Sequence, residues 1–219
     1  MLNNNRAYFD NRRMEIQSLV RSDARRILDV GCGFGTMGKE LKNKFGAEVW
    51  GIEIESGCAH RASMVLDRFL EGSIESNIPN LLHSHFDTII FADVLEHLYN
   101  PWQVLKDIKS KLADGGEIIA SIPNVSHWFV IKQLLSGNFP YGRHGLLDIS
   151  HIRFFTLASA LAMFGNAGYQ ITFKGSVTDQ YESMPLALLE TCHNLGFDTG
   201  RLKEESVIAQ YLFKASIKH

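Results

Sequence analysis

The segment Asp29-Val30-Gly31-Cys32-Gly33-Phe34-Gly35 sets three glycines at alternate positions directly after an apolar run. Glycine lets a backbone turn tightly and lets a ligand approach it closely. A second apolar run ends in Glu53, 24 residues after Asp29. A carboxylate there can accept hydrogen bonds from both hydroxyls of a ribose. Together these residues read as a cradle for an adenosine-bearing cofactor. Further on, Asp93-Val94-Leu95-Glu96-His97 follows a third apolar run. On a helical turn, positions 93, 96 and 97 would share a face. Asp93 and Glu96 fit a reciprocal helix cap, which leaves His97 without a role. Two carboxylates and an imidazole also fit a divalent cation or a general base. Gly145 to Phe155 adds His151 and Arg153 among aromatic residues, suited to the wall of a substrate pocket.

Short β-rich runs must position this chemistry, and they alternate with amphipathic segments. Strands are predicted at 26–30, 48–52, 69–71, 86–92 and 117–122. Met37, Leu41 and Phe45 recur every four residues as a helical stripe, and 56–67 reads as a second helix. Asn100 and Pro101 suit the cap and first position of a further helix, which Gly115-Gly116 would end. This rhythm predicts an α/β fold, a doubly wound and mostly parallel sheet with helices on both faces. Residues 123–155 break the rhythm and read as an irregular insertion over the sheet edge, after the fifth strand. Helices near 156–166 and 184–195 and strands near 169–177 and 207–217 follow. The expectation is a single domain over residues 1–219, with a lid or substrate insertion at about 123–155.

Composition narrows the classes. The chain has 219 residues, 45% hydrophobic and 21% charged, with a net charge of −2. Disorder and collagen-like structure are excluded, and nothing attracts the chain globally to nucleic acid or anionic lipid. The balance argues against an RNA substrate, which needs clustered Lys and Arg. No apolar run approaches the roughly 18 residues of a membrane span, and the start reads as no secretion signal. Cys32, Cys58 and Cys192 suggest neither a disulfide framework nor a zinc site, so a cytoplasmic setting is expected. The apolar stretch Trp128 to Leu135 reads as core or as the face of a homodimer.

Gly33-Phe34-Gly35-Thr36-Met37-Gly38 also satisfies the dinucleotide pattern G-x-G-x-x-G. Asp29 at the strand end weighs against it. Its carboxylate would repel a pyrophosphate and suit the ammonium and sulfonium charges of S-adenosylmethionine.

With these motifs in order, the sequence resembles the class I S-adenosylmethionine-dependent methyltransferases. Ile27 to Gly35, Gly51-Ile52-Glu53, Phe86 to Ile90, Val94 to Leu98 and Leu112 to Gly116 carry the resemblance over roughly residues 5–175. It implies a Rossmann-like sheet of seven strands, the last antiparallel. It also implies a cofactor site of Asp29, Gly31, Cys32, Gly33, Gly35, Glu53, Ile54, Ser73, Ile74, Ala92 and Asp93. Relatives often place an acidic residue where Ser73 stands, so Ser73 or the Ile74 backbone would take the adenine contact. Tyr8 and Arg12 match residues that hold the methionine carboxylate in relatives, and a plain surface helix is the other reading.

The chain is also similar to a branch associated with polysaccharide and small-molecule biosynthesis, to ubiquinone-pathway O-methyltransferases and to small-RNA 3′-terminal 2′-O-methyltransferases. Some of these bind a metal through an acidic-x-x-Glu-His motif and a later histidine. The matching set here would be Asp93, Glu96, His97 and His151, with aspartate in place of the more usual glutamate. The expected function is methylation of a small-molecule or glycan hydroxyl. His97, His151 and Glu96 are the candidate catalytic groups, and Arg153 and Asn124 the candidate substrate contacts. A nicotinamide-dependent oxidoreductase and a non-catalytic cofactor-binding module are the alternatives.

Overall fold

A computed structural model describes residues 11–178 and 183–218. Seven strands form one sheet: β1 Arg26–Val30, β2 Glu48–Glu53, β3 Arg68–Glu71, β4 Phe86–Ala92, β5 Leu112–Pro123, β6 Tyr169–Thr178 and β7 Ile208–Ile217. Their order is β3-β2-β1-β4-β5-β7-β6. β7 runs antiparallel to both its neighbours, while β1 to β5 pair in parallel. The order reverses beside β1 and β4, and doubly wound sheets bind ligands at such a switch point.

Alternation along β1 divides the core. Leu28 and Val30 join a cluster with Phe86, Ile89, Leu105 and Phe164, while Ile27 joins Leu41, Val49 and Ile90 on the opposite face. Both faces of the parallel strands are therefore covered, and β4 is apolar almost throughout, as a strand buried on two sides must be. Against the second face pack α1 Met14–Gln17, α2 Thr36–Phe45 and α3 Ala59–Val65, which contribute Ile16, Leu41 and Ala62.

The first face is covered mainly by α5 Pro101–Ile108 and α7 Leu157–Asn166, with α4 Ile74–Asn77 near the β3 edge. The α5 cap is as predicted: the Asn100 side chain accepts from the Gln103 amide at 3.1 Å and Pro101 opens the helix. Thr156 and Ser159 form a capping box for α7. The buried Tyr169 hydroxyl donates to the Leu105 carbonyl at 2.9 Å, tying β6 to α5.

Four predicted boundaries change. Gly115-Gly116 does not end a helix: α5 stops at Ile108, and both glycines lie within β5, beside a register shift in its pairing with β4. The predicted helix over 56–67 resolves into one turn of 3-10 helix, Ser56–Cys58, followed by α3. Residues 123–155 are not wholly irregular, because Trp128–Leu135 forms α6 with His127 as its cap. The helix predicted near 184–195 is α8 Leu186–Asn194, and a separate α9 Thr199–Glu205 follows it. Trp128 packs with Met184 and Leu189 in a small cluster, whereas Leu134 and Leu135 remain exposed. Among the described residues no helix is long and apolar enough to cross a membrane.

Candidate active site

The carboxyl ends of β1, β2 and β4 open onto a cavity of about 830 Å³, within the range of small-molecule sites. Its floor is the glycine loop. Gly31, Gly33 and Gly35 have φ of 73°, 53° and 78°, values that only glycine adopts without strain. The turn is fixed by the Gly31 and Cys32 amides, which donate to the Ile52 carbonyl at 2.8 and 3.1 Å. A Cβ on Gly31 would lie 2.7 Å from Val94, and one on Gly35 would lie 2.8 Å from Val65. Gly35 therefore works from behind the wall, capping α2.

Glu53 is buried and braces the loop. One carboxylate oxygen accepts from the Gly33 amide at 2.9 Å and the other from the Glu55 amide at 3.0 Å. Each oxygen keeps acceptor capacity toward the cavity. Asp29 is buried too, yet neither of its carboxylate oxygens has a hydrogen-bond partner among the described residues. Burial above all, and then the Glu53 charge, push its carboxyl up to about 7. Ile54, Ser73 and Ile74 line the cavity at the β2 and β3 ends. The Ser73 hydroxyl accepts from the Ser76 amide and so caps α4.

Asp93 forms no helix cap. Its φ is 55°, and the turn Leu95–His97 that follows starts from Val94 without a side-chain cap. Its carboxylate instead accepts from Arg13 at 2.5 Å, from the Ser121 hydroxyl at 2.6 Å and from Gln210 at 2.9 Å. These partners, led by the Arg13 charge, outweigh desolvation and hold the carboxyl below its ordinary range. Committed in this way, Asp93 is not part of the cluster formed by Glu96, His97 and His151.

That cluster is assembled by two segments. The loop over 145–153 docks on the β4 turn, with the Ile152 and Arg153 amides both donating to the Glu96 carbonyl at 3.0 Å. One oxygen or nitrogen from each of Glu96, His97 and His151 lies within 4.8 Å of the others. Hydrogen bonds orient both rings: His97 Nδ1 lies 3.0 Å from the Ser150 carbonyl and His151 Nδ1 lies 3.3 Å from the Leu146 carbonyl. A carbonyl can only accept, so each Nδ1 carries a proton, and in the neutral ring Nε2 keeps the lone pair. His151 Nε2 stands 3.9 Å from Glu96 Oε1, and neither Glu96 oxygen has a hydrogen bond. Burial first, then Asp93, pushes the Glu96 carboxyl well above its usual range, while burial and the neighbouring His97 pull His151 down. His97 lines the cavity together with Ser150 and Ile152. Glu96 and His151 stand behind that wall.

Two predicted substrate contacts sit elsewhere. Asn124 is fully buried and its amide donates to the Glu205 and Ile208 carbonyls, so it fastens the end of β5 to the start of β7. Arg153 donates to the Tyr99 carbonyl and faces the Tyr99 and Trp102 rings, outside the cavity lining. Arg12 is likewise no part of the cavity, because it pairs with Glu40, and Tyr8 lies outside the described residues. The cavity takes Asn11, Arg13, Val94 and Leu98 instead. Sequence spacing gave no sign of Arg13 or Ser121, which meet Asp93 only through tertiary structure. The apolar i, i+4 pair Val94 and Leu98 was the one available signal.

A glycine-floored cavity at the switch point of a seven-stranded sheet, with an antiparallel β7, defines a doubly wound α/β fold with a ligand site at its strand ends. A family model described as a methyltransferase domain matches residues 4–173, and the chain belongs to that family. Among curated proteins it is similar to a ubiquinone biosynthesis O-methyltransferase of Maricaulis maris, 27% identical over 129 residues, which are 54% of this chain and 50% of that protein. Its counterpart from Aeromonas salmonicida is 25% identical over 154 residues, 66% of this chain and 62% of that protein. The chain thus spans about half the length of the first of these relatives. A crystal structure of a SAM-dependent methyltransferase from Archaeoglobus fulgidus superposes with a TM-score of 0.64 at 17% identity, covering 95% of this chain and 96% of that one.

Proposed function

We propose that this chain transfers the methyl group of S-adenosylmethionine to a hydroxyl oxygen of a small-molecule acceptor. The reading is carried by one convergence: the loop braced by Glu53 and the His97 face of the buried cluster open on the same cavity. Gly31, Gly33, Asp29 and Glu53 cradle the cofactor, with Ile54, Ser73, Ile74 and Ala92 beside the adenosine and Asp93 at the opposite end.

The sulfonium already activates the methyl group, so the protein chiefly aligns the acceptor with it. The acceptor's proton must also leave. His97 is suited to take it, because it lines the cavity and its Nδ1 is engaged with the Ser150 carbonyl, which leaves Nε2 of the neutral ring as the acceptor. The buried His151 packs edge-on against that ring, 4.8 Å between centroids, with the buried Glu96 carboxyl beside them.

The same three side chains fit a divalent cation. Glu96 is an orphaned buried carboxylate, and carbonyls hold the far nitrogens of both histidines, the pattern that orients metal-binding imidazoles. Glu96, His97 and His151 would hold the ion, which would lower the pKa of an acceptor hydroxyl. Asp93 does not complete the set, since Arg13 occupies it.

Val94, Leu98, Tyr99 and Ile152 make the acceptor side of the cavity apolar. This favours an acceptor with an apolar body over a glycan, in keeping with the names of the curated relatives. Turnover assays should compare a phenol such as catechol with sugar acceptors, with and without a chelator. Release of S-adenosylhomocysteine only with the phenol supports the reading, and loss of turnover on chelation that added cation restores supports the metal. The match of residues 4–173 to a methyltransferase domain disfavours the oxidoreductase alternative. NADH binding without S-adenosylhomocysteine binding would reverse that choice.

A further inference from the structure

We infer that Asp29 is a proton-exchanging charge selector, which favours the positively charged methylated cofactor over its neutral-sulfur product. The inference rests on the proposed cofactor site and goes beyond it. Asp29 lines the cavity, is 1% exposed, and has no hydrogen bond to either oxygen. A buried ionised carboxylate without partners is costly, so an isolated group takes up a proton instead.

The neighbours leave it in that state. In the sheet Asp29 is opposite Gly51 of β2 and Ile90 of β4, which offer no side-chain donor. Across α2 it meets Gly38, whose Cβ position is 3.8 Å from an Asp29 oxygen. The groups that act on it electrostatically are Glu53 from β2, a like charge, and Arg13 ahead of α1. The Cys32 thiol also lies near, held well above its ordinary range by burial and so neutral. Arg13 is already spent on Asp93, Ser121 and Glu15. Among the described residues, Arg13 is the one cation acting on Asp29. The partner it lacks is a positive charge, and the donor brings one on sulfur that the product does not have.

The charges then balance through the cycle. Donor binding favours the Asp29 carboxylate and its proton leaves to water. In the transfer the S–CH3 bond breaks with its electron pair kept by sulfur, the O–CH3 bond forms, and the hydroxyl proton passes to the base and on to solvent. The cofactor's charge falls by one, and Asp29 takes a proton back from water. Its attraction for the product is weaker by that sulfonium charge, which speeds exchange of product for donor.

Isothermal titration calorimetry tests this on the intact chain, with S-adenosylmethionine and S-adenosylhomocysteine each titrated in buffers of different ionisation enthalpy from pH 5 to 8.5. Both ligands carry the same ammonium and carboxylate, so their difference isolates the sulfonium. The donor is expected to release more protons than the product at pH 6. Its affinity should rise about tenfold per pH unit up to about 7, with a shallower rise for the product. Asp29→Asn should bring the two proton counts together. Equal proton release by both ligands in the wild type overturns the inference while leaving the cofactor site intact. A difference that persists in Asp29→Asn assigns the effect to another group and also overturns it. Binding of neither ligand overturns the cofactor reading itself.

Discussion

Gly31→Ala, with Gly46→Ala as its matched control, separates what the glycine loop does for folding from what it does for binding. Both glycines are left-handed, with φ of 73° and 64°. An L side chain there costs about 1–2 kcal/mol. For a chain of this size each kcal/mol lowers Tm by about 2–4 °C, so each variant should melt roughly 2–8 °C lower. The two differ in what the new methyl meets. At position 46 nothing lies within 4 Å, whereas at position 31 the methyl would stand 2.7 Å from Val94 Cγ2. Val94 lines the cavity, so relief of that contact narrows the cavity or shifts the loop. Overpacking of this kind costs about 1–3 kcal/mol. Taken from binding, that is a loss of roughly tenfold to a hundredfold in affinity. Thermal melts and calorimetric titration with S-adenosylhomocysteine measure both effects. Gly46→Ala should bind as the wild type does. Wild-type affinity in Gly31→Ala, or an equal loss in Gly46→Ala, would refute the assignment of the loop to the cofactor.

Four further outcomes are expected. Because the folded Asp29 carboxyl lies at about 7 against an ordinary 3.8, it stabilises the cofactor-free fold fully below pH 4. That contribution, about 4 kcal/mol, is lost as pH rises to about 7; urea melts should show the slope in the wild type and not in Asp29→Asn. Arg13→Met strips a mostly buried carboxylate of its cation and should cost about 3–5 kcal/mol in the same melts, with Arg13→Lys recovering only part because it lacks the fork. His97→Ala should keep cofactor affinity while methyl transfer falls about 10²–10⁴-fold in a turnover assay. Tyr169→Phe, which removes only the hydroxyl bonded to Leu105, should lower stability by about 1 kcal/mol and leave turnover unchanged.

The parallel half of the fold was legible because its signals are local. Apolar runs over 26–30, 48–52 and 86–92, and the Asn100-Pro101 cap, announce themselves within a few residues. The glycine loop was equally plain, since three left-handed positions demand glycine. What the sequence hid is set by distant partners. Asp93 and Glu96 have the spacing of a helix cap, but Arg13, Ser121 and Gln210 converge on Asp93 from three other parts of the chain. That convergence holds a left-handed aspartate which local preference alone would disfavour. Asn124 reads as a substrate contact beside Pro123 until its amide is seen bonded to carbonyls some 80 residues away. Gly115-Gly116 ends helices in general, yet here β5 runs on through both.

The Glu96 carbonyl that receives two amides from the 145–153 loop divides the molecule's labour. The proposed cofactor contacts lie at strand ends paired into the sheet. In the proposed function the acceptor wall is supplied by a separate loop, moored to Glu96 through main-chain amides that do not depend on side-chain identity at 152 or 153. Such an arrangement lets the acceptor face diversify by substitution while the mooring, and the cofactor machinery beneath it, stay unaltered.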